Sequence, residues 1–285
     1  MVTPTQRREA VGWAKAEKAY AERRACGLFH QPRATQRRVL CVRKSDPAVE
    51  QALLDLANQN PTWGCPQLHR QLRHAGYQIN HKRTARLYQR HGLSLRRRKR
   101  RRLAVPFAQT LVHPLQPNLC WSLDFMSDTL ANRRSYRTLN VIDDCARDAL
   151  AIEIDFSLTG RRVVRVLDQL CEWHGVPERI RSDNGPEFRG NEVQVWAKEK
   201  GVQWQFIQPA SPAQNAYVER FNGTYRREVL DAHQFLSLDE ARRATQDWMK
   251  KYNEERTHSA IGHLPPMEFK RQRQQRVFPE KIGLG

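Results

Sequence analysis

The chain has 285 residues, more than one average domain needs. Its formal net charge of +19 and its pI of about 10.3 favour an acidic polymer as partner. No apolar stretch approaches the ~18 residues of a membrane span, and the first residues lack the apolar core of a signal peptide. The sequence thus excludes a membrane protein and predicts a cytoplasmic one.

The positive charge is concentrated in the first part of the chain. Residues 1–110 contain 24 Lys and Arg against 6 Asp and Glu, a net of +18. Residues 111–235 contain 15 against 17, a net of −2. This division predicts one module that grips nucleic acid and another that performs chemistry.

The first 95 residues are predicted to be mostly helical. Apolar residues recur with the period of an amphipathic helix from Val49 to Ala57. A second helix is expected after Pro66, because proline suits a first helical position. An earlier helical pair, at about Thr5–Ala21 and Glu22–Leu28, is a candidate for a second unit of the helix-turn-helix kind.

The helix expected at about Lys82–His91 carries a basic stripe. Lys82, Arg86 and Arg90 lie at i, i+4 and i+8, with Arg83 beside them. Short helices with a basic last helix are typical of a helix-turn-helix, whose last helix enters a major groove lined by phosphates. An ordinary small bundle with a solvated basic face remains the alternative.

A run of seven positive charges follows this region. The residues are Arg96, Arg97, Arg98, Lys99, Arg100, Arg101 and Arg102. Such charges repel one another and cannot lie in a core, so residues 96–114 are predicted to be a linker. It could be simply solvated, or it could become ordered along DNA phosphates and release counterions.

From Leu119 the pattern changes to short apolar segments that are typical of strands. Three of them, separated by short turns, predict an antiparallel meander, after which helices and strands alternate. The order βββαβαβα predicts an α/β fold with the ribonuclease-H-like architecture, a mixed sheet flanked by helices. The expected strands are 119–127, 136–142, 149–155, 179–183 and 202–207. One helix is expected between Thr159-Gly160, which precede it, and His174–Pro177, which stop it, and two more at 192–200 and about 215–230.

Three acidic residues stand out within this region. Asp124 is expected in the middle of a strand, Asp183 at the end of another, and Glu219 in the first turn of a helix. Three carboxylates on rigid elements can hold a pair of Mg²⁺ ions about 4 Å apart for phosphoryl transfer. Asp124, Asp183 and Glu219 are therefore the predicted catalytic residues and metal ligands.

Other acids compete with Asp124 for the first position. Asp128, Asp143 and Asp144 lie at strand ends, where carboxylates commonly accept backbone N–H groups. Asp124 instead interrupts an apolar strand, where a lone carboxylate is costly unless a cation or donors meet it. This cost favours Asp124 as the ligand.

Glu219 has basic neighbours further along its predicted helix. Arg226 lies at i+7 and shares its face, and Arg227 follows. Both arginines are predicted to hold DNA phosphates close to the metal ions. An exposed polar stripe is the alternative for this face.

The six cysteines are scattered and include no C-x-x-C pair. We therefore expect no zinc site, and free thiols in a reducing cytosol.

In the segments around the three acids and in several others, the sequence closely resembles the second-frame transposase (OrfB) of the IS-three family of bacterial insertion sequences, within the retroviral-integrase superfamily. The residues that carry the resemblance are Trp121–Asp128, Arg137–Asp144, Asp183–Phe188, Gln214–Gly223, Tyr252-Asn253 and His258-Ser259, and it extends upstream to Asn80–Arg83. One departure is Thr257, which stands where the family usually has proline.

The resemblance implies DNA cleavage and strand transfer by an acidic triad with Mg²⁺ or Mn²⁺. It carries over Asp124, Asp183 and Glu219 as metal ligands and Arg226 as the basic residue after the glutamate. The implied partners are double-stranded DNA at the element ends and the target, further copies of the chain in a multimer, and an upstream-frame (OrfA) partner or frameshift fusion. The implied location is the bacterial nucleoid.

We therefore predict a DNA transposase, a polynucleotidyl transferase of the DDE type. The alternatives are a non-catalytic DNA-binding regulator of transposition, which would use the same basic arm, and a ribonuclease-H-like nuclease. The predicted domains are a helical DNA-binding region at 1–95, the linker at 96–114, an integrase-type core at 115–235 and a helical extension at 236–285.

Overall fold

The computed structural model describes residues 3–38, 46–95, 114–208 and 212–277. Its contacts divide the chain into two units, Met1–Glu50 and Gln51–Gly285. The predicted linker residues 96–113 lie outside the described ranges. Within these ranges, no helix is both long enough and apolar enough to cross a membrane.

The first unit contains three short helices. Val11, Ala14, Ala25 and Cys26 form its small apolar cluster. The first helix ends at Glu17 and not near Ala21 as expected, and Ala19 just beyond it has a left-handed φ of 51°. These helices are α1 (Pro4–Glu17), α2 (Glu22–Leu28) and α3 (Arg33–Arg37).

Three helices follow that agree with the expected helix-turn-helix pattern. The Asn80 side chain caps the last of them by accepting the Lys82 backbone N–H at 3.0 Å. The buried Leu68, Leu72 and Leu87 turn inward. The helices are α4 (Pro47–Gln59), α5 (Cys65–His74) and α6 (His81–Arg90).

A five-stranded mixed sheet forms the centre of the second unit. Its strand order is β3-β2-β1-β4-β5, in which β1, β2 and β3 are antiparallel neighbours and β4 and β5 run parallel to β1. The predicted meander is thereby confirmed. The strands are β1 (Cys120–Thr129), β2 (Ser135–Asp143), β3 (Ala149–Asp155), β4 (Arg179–Ser182) and β5 (Gln203–Phe206).

Helices cover both faces of this sheet. Trp121 and Leu123 of β1 pack in one apolar core with Val163, Leu167 and Trp196 of the helices on one face. Two smaller cores on the other face join the sheet to α10 and α11. The helices are α7 (Gly160–His174), α8 (Pro186–Arg189), α9 (Asn191–Lys200), α10 (Ala216–Tyr225) and α11 (Leu238–Glu254), of which α8 was not expected.

The end of α10 is irregular. Its last turn continues as a π-helical turn at Arg226–Leu230, in which the Asp231 N–H donates to the Arg226 carbonyl at 2.7 Å. Such turns lie frequently at functional sites.

The C-terminal segment returns to the sheet and to α5. Asn253 of α11 hydrogen-bonds both the N–H and the carbonyl of Ala149 in β3 at 2.9 Å. In the loop before the last helix, α12 (Pro266–Val277), the Thr257 hydroxyl accepts the buried Gln67 amide of α5 at 3.2 Å. The helices α5 and α6 therefore belong to the same unit as the sheet.

A buried ion pair ties β4 to the end of β2. The Arg181 guanidinium donates to the fully buried Asp144 carboxylate at 2.9 Å, and the Ser122 hydroxyl donates to it at 2.6 Å. Burial raises the pKa of Asp144, while the Ser122 hydrogen bond and the Arg181 charge oppose that rise. The charge of Arg181 thus offsets part of the desolvation of Asp144.

We expect Arg181→Met to lower the free energy of unfolding by about 3 kcal/mol, because Asp144 is left buried without its cation. Urea denaturation at pH 7 measures the loss. Arg161→Met, which removes an exposed arginine of α7, is the matched control and should change stability by less than about 0.5 kcal/mol. Equal losses in both variants would show that the buried pair contributes nothing particular.

Candidate active site

Asp124 lies in the central strand on the face that α10 covers. Its neighbours Leu123 and Phe125 point to the opposite face and pack against the α7 and α9 side. Directly across the antiparallel pair of strands is Asn140 of β2. Asp124 is half-buried, whereas Asn140 is fully buried.

A chain of hydrogen bonds fixes the Asp124 carboxylate. Its Oδ1 accepts the Phe125 N–H at 2.9 Å, and its Oδ2 accepts the Asn222 amide of α10 at 2.7 Å. The Asn140 amide in turn donates to Asn222 Oδ1 at 2.6 Å. Asn222 is thus oriented from one side and orients Asp124 on the other.

Asp183 follows directly after β4. In the parallel pairing of β1 with β4, Ser122 lies beside Arg181, so Asp124 and Asp183, each two residues further on, lie at the same level. Asp183 Oδ1 accepts the Gly185 N–H at 3.1 Å. A Cβ at Gly185 would lie only 3.1 Å from that oxygen, so this tight turn favours glycine.

Glu219 lies in the first turn of α10, as expected. The start of this helix is held to β1 by the buried Asn215, whose amide donates to the Leu123 carbonyl at 3.3 Å. The Glu219 side chain is exposed, and the desolvation that it does experience raises the pKa of its carboxyl.

The three carboxylates interact electrostatically. Burial raises the pKa of Asp124 to about 6, and the negative charges of Asp183 and Glu219 add to the rise. The hydrogen bonds from Phe125 and Asn222 oppose it. The ionised carboxylate is therefore incompletely compensated by its protein partners, as expected for a group that meets a cation.

Within the described ranges, no three His, Cys, Asp or Glu side chains are grouped closely enough to hold a metal ion. The donor set nevertheless fits Mg²⁺ or Mn²⁺ in kind, because both ions take hard carboxylate oxygens. Each Asp124 oxygen accepts one hydrogen bond and keeps further acceptor capacity.

The competing acids are engaged elsewhere. Asp143 accepts the backbone N–H groups of Cys145 and Ala146 at 2.8 and 2.7 Å, as expected for a strand-end acid. Asp144 is paired with Arg181, and Asp128 lies 3.6 Å from the Arg226 guanidinium.

Asn140 is a residue of this site that sequence reasoning missed. Like Asp124, it interrupts an apolar strand segment, where burying a polar side chain without a hydrogen-bond partner costs free energy. That pattern was the indication available in the sequence. Its place opposite Asp124 depends on the strand register, which the sequence does not specify.

The structure places the predicted phosphate-binding arginines as follows. The Arg226 guanidinium donates to the Ser127 carbonyl at 2.7 Å and lies within 3.7 Å of both Asp128 and Asp231. Arg227 is exposed, and its Nη2 donates to the Thr224 hydroxyl at 3.3 Å. In this conformation Arg226 is therefore occupied by its own chain.

The basic stripe of α6 faces solvent. Lys82, Arg86 and Arg90 are exposed and Arg83 is half-buried. The Arg86 Nε donates to the Lys82 carbonyl at 3.2 Å, which holds its side chain along the helix. The predicted contacts of Arg96, Arg97, Arg98, Lys99 and Arg100 lie outside the described residues.

Three family models match this chain. An HTH-like domain matches residues 45–101, and two models of an integrase core domain match residues 114–212 and 200–266. The first covers the helices α5 and α6, and the other two cover the sheet, α10 and α11.

Two relatives are encoded by bacterial insertion elements. An uncharacterised protein of insertion element IS476 from Xanthomonas euvesicatoria is 37% identical over 94% of this chain and 78% of its own length. An uncharacterised protein of IS407 from Burkholderia multivorans is 38% identical over 87% of this chain and 90% of its own.

The fold agrees with these matches. A chain of the simian T-cell lymphotropic virus intasome aligns with a TM-score of 0.50 at 17% identity, over 76% of this chain and 74% of that chain. This likeness confirms the ribonuclease-H-like, integrase-type architecture of the sheet. The chain therefore belongs to the IS-three type of insertion-sequence transposases, a family of DNA integration proteins with an HTH-like domain and an integrase core.

Proposed function

We propose that this protein is a DDE-type DNA transposase that cleaves and joins the ends of an insertion sequence. The observation that carries the proposal is the arrangement of three acids around the carboxyl end of β4. Asp124 of β1 and Asp183, which follows the adjacent parallel β4, lie at the same level, and α10, which carries Glu219, is hydrogen-bonded to Asp124 through Asn222.

Asp124, Asp183 and Glu219 would hold the divalent metal, Mg²⁺ or Mn²⁺. When bound, two such ions neutralise the phosphate and activate the attacking and leaving oxygens of an in-line displacement. The raised pKa of Asp124 supports this assignment. Part of the rise comes from repulsion by the charges of Asp183 and Glu219, and a bound cation would relieve that repulsion.

The chain's own residues position the reacting groups. Asn222 holds the Asp124 carboxylate in one orientation, and Asn140 holds Asn222. Water cleaves one phosphodiester at the element end, and the freed 3′-hydroxyl attacks a phosphodiester of the target and displaces its 3′-oxygen. The protein contributes positioning and electrostatic stabilisation and forms no covalent intermediate with the DNA.

DNA would be bound by several parts of the chain. The exposed stripe of α6 suits a major groove, and the basic run at 96–102 suits the phosphate backbone. Arg227 follows Glu219 by about two helical turns. Arg226 would have to exchange Asp128 and Asp231 for a phosphate. Joining two ends requires a multimer on nucleoid DNA in the cytoplasm, and an upstream-frame (OrfA) partner fits the family.

The proposed division keeps a helical region at 1–95, a linker at 96–114, a core at 115–235 and an extension at 236–285. Contacts between α5 and the loop after α11 mean that the first and last of these regions support one another within the second unit.

Asp124→Asn should reduce Mg²⁺-dependent nicking of labelled element-end DNA by a factor on the order of a thousand, because several kcal/mol of charge stabilisation are lost. Binding of the same DNA should persist. Asp168→Asn on the opposite face, whose acid contacts Trp196 and Lys200, is the control and should nick normally. Full nicking by Asp124→Asn would refute the assignment. Absence of nicking in the wild type would favour the non-catalytic DNA-binding alternative.

Metal binding can be tested without DNA. Saturating Mg²⁺ or Mn²⁺ should raise the unfolding temperature of the wild-type protein. At a metal concentration of a hundred times Kd, the free energy of unfolding should increase by about 2.7 kcal/mol. Removal of the metal with a chelator should reverse the shift. Asp183→Asn should lose it while Asp168→Asn retains it. An equal shift in all three proteins would place the ion elsewhere.

Asn222→Ala should weaken the metal affinity by about 10–100-fold, because Asp124 loses the amide that orients it. The metal titration of the unfolding temperature measures the change, and nicking at saturating metal should recover in part. Thr245→Ser, which alters a buried partner of α10 outside the site, is the control. An unchanged metal affinity in Asn222→Ala would show that the amide has no positioning role.

A further inference from the structure

An arginine-lined cavity of about 340 Å³ lies beside α10, and none of Asp124, Asp183 and Glu219 lines it. Its walls come from α5, from the loop after β2, from α10 and from the loop after α11. Four of the lining residues are Arg70, Arg147, Arg220 and Arg256. Among the described residues that line it, none is Asp or Glu.

The positive charge of this cavity is only partly balanced. The Arg256 guanidinium is paired with Glu228 at 2.6 Å, outside the lining. Burial and the charge of Arg256 lower the pKa of Arg70, so the guanidinium groups repel one another across the cavity. An anion between them would relieve that repulsion.

Several donors at the cavity are buried and have no hydrogen-bond partner. They are the Arg70 Nε and the Arg147 Nε and Nη1. A buried donor without an acceptor costs roughly 1–3 kcal/mol, more when it is charged. Two different arginines at one cavity thus have donor capacity that no acceptor in the described part of the chain uses.

Arg147 is held in place for such a role. Its guanidinium stacks on the Tyr217 ring at 3.3 Å from the centroid. Its backbone has a left-handed φ of 64°, and its N–H donates to the Asp143 carbonyl at 3.0 Å. A non-glycine residue in this conformation is uncommon and often marks a functional constraint.

His258 at the cavity is uncharged. Burial and the charges of Arg256, Arg147 and Arg70 lower its pKa to about 3. Its ring packs edge-on against Tyr252 at 4.9 Å, and its buried Nε2 has no partner. The three arginine charges that add to the effect of burial on His258 would also attract an anion.

We propose that this cavity binds one phosphate group of a DNA strand, held by Arg147 and Arg70 with Arg220 at its exposed side. Guanidinium groups match phosphate oxygens with paired, charge-assisted hydrogen bonds. The proposal rests on the proposed function only in naming DNA as the source of the phosphate.

The position of the cavity favours a strand over a free phosphate. Arg220 follows Glu219 directly on α10, so the two side chains leave the helix about 100° apart. A strand bound at the acids could therefore approach the cavity by continuing around α10. The other wall, α5, belongs to the HTH-like region.

The salt dependence of DNA binding tests the proposal in the full chain without metal. Arg147→Gln and Arg220→Gln should weaken binding and make the slope of log K against log salt shallower by about one. Arg161→Gln removes an exposed arginine from the opposite side of the sheet and should leave the slope unchanged. If Arg147→Gln fails to fold, Arg220→Gln still tests the proposal, because Arg220 is exposed and its replacement should leave the fold intact. Wild-type slopes in the folded variants would overturn the proposal.

Inorganic phosphate provides a second test that needs neither DNA nor metal. It should raise the unfolding temperature of the wild type more than chloride at equal ionic strength, and this excess should vanish in Arg147→Gln. An excess without any change in the DNA slope would overturn the assignment to a DNA strand. Altered slopes in a protein that does not nick DNA would support the phosphate site and reject the proposed function.

Discussion

The hydrogen-bond chain from Asn140 through Asn222 to Asp124 joins the sheet to α10, and the arrangement of the site depends on it. A carboxylate in this strand must be met by donors, and the nearest donor on the facing layer is an amide of α10. The same contact sets where α10 lies along β1. It therefore sets where Glu219, three residues before Asn222, stands relative to Asp124 and Asp183.

Much of the sheet could be predicted because its apolar residues follow simple periods. The third strand was predicted with its observed bounds, Ala149–Asp155, and Asp124 was chosen by the cost of its charge in an apolar strand. The predicted end of α1 was wrong. The helix stops before Ala19, whose left-handed conformation would usually be marked in a sequence by a glycine. The role of Asn140 could not be predicted, because strand register is a tertiary property.

The basic residues show the same limit in another form. The stripe of Lys82, Arg86 and Arg90 was visible because one helix brings together residues four apart. The arginines of the cavity come from distant parts of the chain, and only folding collects them. The assignment of the acids as metal ligands and of these arginines as DNA contacts stays a prediction, supported by their placement and charge.

The hydrogen bond between Gln67 and Thr257 spans 190 residues of sequence. Thr257 stands where proline is usual in the family, and its hydroxyl supplies the acceptor. At a synthesis rate of about 5–20 residues per second, α5 leaves the ribosome roughly 10–40 s before this partner exists. During that interval α5 and α6 have been synthesised, but the segment after α11 does not yet hold them. The basic stripe of α6 is therefore synthesised well before the contact that holds α5 to the last part of its unit.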